Sequence, residues 1–298
     1  MLDLLKVIIL GIVEGITEWL PISSTGHLIL FGSVLEPSFS EEYMEMFNVV
    51  IQLGAILAVV VLYFKELWPF HTKRKRPAES QFVNVDYNGS FGRFQNFADN
   101  YLYMSKVELW FKIAVSSIPA LIIGLLFDDW LEANMHKPVP VALMLIIYGV
   151  IFILVEIWNK KRKPSVTKIK DITWSLALFI GVFQALSIVP GTSRSGATII
   201  GALILGLSRT CGAKYSFYMA IPAMFGASFI KILKFGFSFT GTEALALLVG
   251  MVVSFVVSVL IIRFLMDYVR RHDFKVFGYY RIVLGIVVII CAAAGLLG

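Results

Sequence analysis

The residues with the clearest chemical potential form two short runs, EGITEWLPISSTGH (14–27) and PGTSRSG (190–196). In the first run, Glu14 and Glu18 are four residues apart and therefore share one face of a helix. Two carboxylates at this spacing repel each other in a medium of low dielectric, unless one is protonated or a cation lies between them. We predict either a structural pair of neutral carboxyls, or a functional pair. A functional pair would act as a general base or hold Mg²⁺ or Ca²⁺, hard ions that prefer oxygen ligands.

A cluster of small polar residues follows in the same run: Ser23, Ser24, Thr25 and Gly26. At least one hydroxyl is expected to cap the next helix, and the free N–H groups at a helix start can bind an anion. His27 then lies in the first turn, either as a packed hydrogen-bonding residue or as a catalytic base. We predict Ser24 as a nucleophile with His27 as its base, or else a water activated by His27 or a glutamate.

Arg194, in the second run, is a guanidinium within an apolar stretch and therefore requires an anion. Its partner is either Glu14 or Glu18 in a structural ion pair, or a phosphate held through two parallel hydrogen bonds. Neighbouring residues expected to bind the same phosphate are Gly191, Thr192, Ser193 and Ser195, with Gln184 as a further candidate.

These polar residues lie in a chain of 298 residues that is 58% hydrophobic and only 15% charged. Soluble domains are about a quarter charged, and several apolar stretches here reach the roughly 20 residues that span a bilayer. The composition predicts an all-α polytopic membrane protein and argues against a disordered chain or a β-barrel. The net charge of +6 is then explained by loops that set orientation, so no nucleic-acid partner is expected.

Six transmembrane helices are predicted, at roughly 44–65, 107–127, 139–158, 214–235, 243–266 and 279–297. Two further apolar segments, 1–33 and 171–208, are each broken in the middle by Pro, Gly and clustered hydroxyls. Because each half is too short to cross alone, we predict two re-entrant helical hairpins. The whole chain, 1–298, is expected to form a single integral membrane domain.

The two hairpins resemble each other in sequence. When Gly11 is aligned with Gly181, Glu14 falls opposite Gln184, and SSTGHLI (23–29) lies opposite SRSGATI (193–199). Each unit, 1–160 and 171–298, would then hold one hairpin and three spans, and this odd number of crossings turns the second unit upside down. The pattern predicts an inverted-topology repeat with its site near the midplane, where the broken helices meet.

Basic residues concentrate on one predicted face of the membrane. The stretches around 65–106, 159–170, 209–214 and 263–281 carry 20 of the 26 Lys and Arg residues. By the positive-inside rule this face is predicted to be cytoplasmic, with both termini outside. The stretch of about 67–105 is read as a cytoplasmic insertion without catalytic duty, with a regulatory role as the alternative.

Both runs, together with the order and spacing of the spans, resemble the undecaprenyl-diphosphate phosphatase family, bacterial enzymes linked to bacitracin resistance. The resemblance covers nearly the whole chain except the 70–104 insertion. It implies hydrolysis of undecaprenyl diphosphate to undecaprenyl phosphate and inorganic phosphate, dependence on Mg²⁺ or Ca²⁺, and a site in the bacterial inner membrane that faces the outer side. By matching position, the resemblance implies that the catalytic residues are Glu14, Glu18, Ser24, His27 and Arg194.

A transporter or flippase of prenyl-phosphate lipids is the alternative from another class, alone or in addition to hydrolysis. Inverted repeats with broken helices are typical of transporters, whereas Ser24 and His27 beside an acid pair favour an enzyme. The expected partners are the diphosphate lipid and the surrounding membrane lipids. The sequence leaves open whether the protein forms a homodimer.

Overall fold

The computed structural model describes residues 2–35, 37–72, 89–135, 137–236 and 238–297. Within these ranges the chain is helical, and its only β-type contacts are isolated bridges. The helices are α1 Leu2–Thr17, α2 Ser24–Leu35, α3 Glu41–Leu62, α4 Phe64–Leu67, α5 Gly89–Tyr101, α6 Met104–Met135, α7 Pro138–Asn159, α8 Trp174–Ala185, α9 Arg194–Ile204, α10 Arg209–Phe235, α11 Gly241–Tyr268 and α12 Lys275–Ala293.

Six of the described helices are long and apolar enough to cross a bilayer: α3, α6 as far as Phe127, α7, α10, α11 and α12. The six predicted spans are therefore confirmed, with ends that differ by a few residues. Helix α6 continues to Met135, where the sequence predicts a connection after residue 127. The outward faces carry exposed apolar side chains such as Leu125, Phe229 and Leu260, which lipid solvates better than water does.

Each predicted hairpin is a pair of short helices joined by a short connection. Residues 18–23 join α1 to α2, and residues 186–193 join α8 to α9 through the 3₁₀ turn Leu186–Ile188. Helices α2, α8 and α9 contain 12, 12 and 11 residues, which is about 16–18 Å at 1.5 Å per residue. The bilayer core is about 30 Å thick, so a re-entrant course stays the prediction that suits these lengths.

The first helix of each hairpin packs on a spanning helix from the other half of the chain. Helix α1 lies on α11, where Gly11 faces the carbonyl of Gly250, and α8 lies on α6, where Gly181 faces the carbonyl of Ser116. Residues without a side chain let membrane helices approach closely. Gly11 and Gly181, which the internal alignment pairs, thus occupy matching helix contacts, while the inverted topology itself stays a prediction.

Helix α3 packs on both α11 and α10, and α7 pairs with α12. Between α7 and α12, Gly149 and Gly278 each face the other's carbonyl, which brings the two backbones together. The predicted insertion begins at α4, contains α5, and is closed by a bridge between Phe70 and Leu102. Residues 73–88, which include the basic run KRKR, lie outside the described residues.

Candidate active site

The connections of the two hairpins meet inside the protein. Arg194 Nη2 lies 3.1 Å from Glu18 Oε1, and Ser195 Oγ donates a hydrogen bond to the backbone carbonyl of Glu18 at 3.1 Å. Glu18 is buried, and the Arg194 side chain is only 13% exposed. Of the two carboxylates that the sequence offers to Arg194, the structure selects Glu18, which is 176 residues away in the chain.

The acid pair lies on one helical face, as predicted, because Glu18 N donates to the carbonyl of Glu14 at 3.0 Å and continues the helical bonding of α1. Glu14 is fully buried, yet neither of its carboxylate oxygens receives a hydrogen bond in the described part of the chain. Buried polar atoms are normally paired. The two unpaired carboxylate oxygens of Glu14 lie one helical turn from Glu18, and carboxylate oxygens are the ligands that Mg²⁺ and Ca²⁺ prefer. No third Asp, Glu, His or Cys joins them among the residues described.

Ser24, the first residue of α2, points its hydroxyl at the acid pair. Its Oγ donates to Glu18 Oε2 at 3.3 Å, whereas Arg194 binds the other oxygen of the same carboxylate. Glu18 therefore orients both the predicted nucleophile and the predicted phosphate-binding guanidinium. An ionised carboxylate in this position can also accept the proton of the hydroxyl.

No hydrogen bond joins His27 to Ser24 among the described residues. Its Nδ1 lies 2.7 Å from the carbonyl of Ser23, and its Nε2 lies 2.8 Å from the hydroxyl of Tyr280, whose ring stacks on the imidazole. Because a carbonyl only accepts hydrogen bonds, Nδ1 carries the proton, and in a neutral ring Nε2 accepts from Tyr280. The histidine expected to serve Ser24 as a base is thus held by other partners, and the carboxylate that accepts the hydrogen bond of Ser24 is that of Glu18. The catalytic role of His27 stays a prediction.

Arg194 retains unused hydrogen-bonding capacity. Its Nη1 donates to the carbonyl of Ser216 at 2.8 Å and its Nη2 to Glu18, but its buried Nε has no acceptor among the described residues. A guanidinium has five N–H donors in a planar fork. The remaining donors suit the oxygens of a phosphate group, as the sequence predicts for this residue.

The residues immediately before α2 and α9 share an unusual backbone conformation. Ser23 has a φ of 74° and Ser193 a φ of 70°, and they are the two non-glycine residues with positive φ in the described chain. The left-handed region costs a non-glycine residue about 1–2 kcal/mol, and such strain concentrates at functional sites. The strained serines occupy aligned positions, in SSTG and SRSG, so both hairpins place a helix start at the site in the same way.

The two helix starts are capped differently. Ser193 Oγ accepts a hydrogen bond from Gly196 N at 3.2 Å and lies 3.2 Å from Ser195 Oγ. Ser23 Oγ, in contrast, is buried without a partner among the described residues. The N-terminus of α2 therefore keeps N–H groups available to an anion.

The other predicted residues lie around this cluster with fewer contacts to it. Gly191 and Thr192 are buried and present their backbone carbonyls, and Gly26 packs against Leu145. Thr25 is half-buried, and the Oε1 of Gln184 is buried without a partner in the described chain. No described contact joins Thr25 or Gln184 to Glu18 or Arg194, so their substrate-binding roles stay predictions.

Arg281 is the residue that sequence reasoning missed. It was assigned to the basic face, yet it is completely buried in α12 and holds the two hairpin connections together. Its Nη2 donates to the carbonyls of Gly191 and Thr192 at 2.7 and 2.9 Å, and its Nη1 donates to that of Pro21 at 3.3 Å. No carboxylate in the described chain pairs with it. The available signal was its position inside the predicted span 279–297, where a cation indicates function.

Comparisons with known proteins identify the family of this chain. A family profile described as "Bacitracin resistance protein BacA" matches residues 7–287. Relatives named undecaprenyl-diphosphatase come from Enterococcus faecalis, with 52% identity over 292 residues and 98% of each chain covered, and from Lachnoclostridium phytofermentans, with 51% over 287 residues and 96% of each chain. A third, from Desulfitobacterium hafniense, is 50% identical over 295 residues, covering 99% of this chain and 98% of its own. A match that includes both hairpin connections shows that this chain belongs to the BacA family of bacitracin resistance proteins.

Proposed function

We propose that this chain hydrolyses undecaprenyl diphosphate to undecaprenyl phosphate and inorganic phosphate, and so recycles the lipid carrier of cell-wall synthesis. Its family and its relatives, which are named undecaprenyl-diphosphatase, support the reaction. The observation that carries the site assignment is the contact between Glu18 and Arg194, since it joins an acid pair to a buried guanidinium across the two hairpins.

The diphosphate binds between the hairpin connections, with the prenyl chain left in lipid. The unused donors of Arg194 and the N–H groups at the start of α2 meet its phosphate oxygens. Glu14 and Glu18 would hold Mg²⁺ or Ca²⁺ through their carboxylate oxygens. When bound, such a cation neutralises part of the diphosphate charge and orients its oxygens. Until substrate arrives, Glu18 compensates the charge of Arg194.

In the chemical step, Ser24 Oγ attacks the terminal phosphorus while Glu18 accepts the hydroxyl proton. The anhydride P–O bond breaks, and undecaprenyl phosphate leaves with the bonding electrons. A water molecule then attacks the phosphoserine, restoring the hydroxyl and releasing inorganic phosphate. Arg194 stabilises the charge on the transferred phosphoryl group in both steps. Direct attack by a water that Glu18 or His27 activates is the alternative route.

A transporter or flippase of prenyl-phosphate lipids is the rival from another class. The contact between Ser24 and Glu18 favours hydrolysis, because transport does not require a hydroxyl held by a carboxylate. In detergent no membrane separates two compartments, so transport cannot be observed. Release of phosphate from the lipid by the solubilised protein therefore indicates an enzyme. Binding of the lipid without release indicates transport.

The protein is a multi-pass membrane protein, as its six apolar helices indicate. We propose in addition that both termini lie outside the cell and that the site opens to the outer side. The excess of Lys and Arg in the loops at one end supports this orientation, even with Arg281 removed from that group. The matching contacts of Gly11 and Gly181 support the inverted repeat.

The test is phosphate release from a C55 prenyl diphosphate by purified protein, with and without a chelator. We expect Arg194→Ala to lower kcat by about a hundredfold or more, as removal of a transition-state hydrogen-bond donor does. The matched control Arg271→Ala removes an exposed arginine and should leave kcat unchanged. Retention of more than half the activity in Arg194→Ala would refute the phosphate-binding role. Normal turnover in Ser24→Ala would exclude the serine route, whereas a trapped phosphoenzyme would establish it.

A further inference from the structure

We propose that a basic cavity distinct from the active site binds an anionic phospholipid by its phosphate headgroup. The cavity has a volume of about 690 Å³ and lies where α4, the start of α6, the start of α10 and the end of α11 meet the 167–170 loop. Seven cationic side chains and two carboxylates line it, a net charge of +5. None of the active-site residues lies in this lining, so the proposal does not rest on the proposed function.

Both carboxylates of the lining are already paired. Glu66 Oε1 lies 2.6 Å from Lys214 Nζ, and Tyr218 donates to its other oxygen at 3.0 Å. Glu108 Oε1 lies 2.8 Å from Lys112 Nζ. Neither acid is therefore free to compensate the other cations.

A third ion pair joins Arg270 of the lining to Asp267 at 3.1 Å, which leaves four lysines of the cavity without a carboxylate partner in the described chain.

Three of these four lysines lie exposed at the rim of the cavity. Lys65, Lys168 and Lys170 are exposed, and no carboxylate of the described chain lies within ion-pair distance of them. Lys168 and Lys170 flank Ile169 on the short connection that leads to α8. Flexible ammonium groups around a concave opening suit a phosphate, which they bind as point charges.

The surroundings of the cavity indicate that this phosphate belongs to a lipid. Exposed tryptophans flank it on two sides, Trp68 and Trp174, each 48% exposed. Each is linked to a lining lysine, because Lys106 Nζ donates to the carbonyl of Trp68 at 3.1 Å and Lys112 Nζ lies 5.7 Å from the ring centre of Trp174. Tryptophan concentrates at the level of lipid headgroups, and basic pockets between membrane helices bind phospholipid headgroups there.

Binding of the lipid can be measured on the full chain by native mass spectrometry and by thermal unfolding in detergent. The probes are cardiolipin, which carries two phosphates, and dioleoylphosphatidylcholine, which is zwitterionic. We expect cardiolipin to be retained and to raise Tm, as a ligand of the folded state does, while phosphatidylcholine leaves Tm unchanged. A lysine near a membrane surface contributes roughly a fivefold factor in binding anionic lipid. The double variant Lys168→Gln/Lys170→Gln should therefore weaken cardiolipin binding by about tenfold or more.

The matched control is Lys161→Gln/Lys163→Gln, which removes the same charge from two exposed lysines of the same connection that do not line the cavity. It should keep at least half of the cardiolipin affinity. Equal losses in the two double variants would overturn the proposal, because they would mean general attraction to a basic face. If millimolar inorganic phosphate raised Tm as much as cardiolipin does, the proposal would also be overturned, since the ligand would then be a soluble anion.

Discussion

Substitution of Arg281 by lysine tests whether one buried guanidinium sets the geometry of the site. In the folded protein this side chain donates to the carbonyls of Pro21 in the first hairpin and of Gly191 and Thr192 in the second. Lysine keeps the positive charge but replaces the planar fork with a single ammonium group. It cannot bind the carbonyls of both hairpins with the same geometry.

The expected effect follows from the hydrogen bonds that are lost. A hydrogen bond to a charged group contributes about 1.5–3 kcal/mol, and Arg281→Lys loses one or two of three. The contact between the hairpins is therefore weakened by about 1.5–6 kcal/mol. A displacement of about 1 Å in a catalytic group lowers the rate by about a hundredfold. We thus expect kcat for a C55 prenyl diphosphate to fall by about a hundredfold.

The matched control is Arg209→Lys, the same substitution at a half-buried arginine whose ion pair with the buried Glu156 lies away from the hairpin connections. Arg209 donates to both carboxylate oxygens of Glu156, with distances between 2.6 and 3.1 Å. This variant should lower Tm but keep kcat within about threefold of the wild-type value. Turnover is measured per folded molecule, well below the Tm of each variant, so that lost stability is not counted as lost activity.

Two outcomes would refute this reasoning. A kcat for Arg281→Lys within about twofold of wild type would mean that the hairpins keep their positions without the guanidinium of Arg281. Equal losses of kcat in Arg281→Lys and Arg209→Lys would mean that a weakened arginine contact in the bundle impairs the enzyme through stability alone.

Three further predictions concern other parts of the molecule. Tyr280→Phe tests the route in which His27 activates a water: there it should lower kcat by about tenfold with KM unchanged, because His27 Nε2 loses its 2.8 Å partner. An unchanged kcat would contradict that route and favour Glu18 as the base. Glu14→Gln should weaken Ca²⁺ binding in a calorimetric titration and remove metal-stimulated turnover, and undiminished affinity would place the cation elsewhere. Gly149→Ala puts a Cβ 2.7 Å from a carbonyl of α12 and should cost about 1–3 kcal/mol of stability, whereas Gly226→Ala meets no neighbour within 4 Å; equal Tm values would contradict the packing.

The sequence was most informative where a property is local. Hydrophobic length predicted all six spans, because a bilayer imposes one length on every helix that crosses it. The spacing of Glu14 and Glu18 placed them on one helical face, because the helical period depends on neighbours alone. The cap predicted for α2, by contrast, is not among the described hydrogen bonds, because Ser23 Oγ has no partner there and Ser24 Oγ donates to Glu18.

The contacts between side chains at the site were harder to predict from the sequence. From the sequence, either carboxylate of the acid pair could bind Arg194, and His27 was predicted to act as the base for Ser24 or for a water. In the structure Arg194 pairs with Glu18, and His27 is held by Ser23 and Tyr280. No sequence pattern predicted the left-handed backbone of Ser23 and Ser193, since serine rarely adopts it.

By itself the sequence determined that this protein is a bundle of membrane helices with a polar, phosphate-directed set of side chains in two broken segments. Only the tertiary structure decided which of those side chains meet, and it added Arg281 as the residue that joins the two segments. The physical reason is burial. Inside the bundle each polar atom must find a partner, and the neighbours available to it come from helices far apart in the chain.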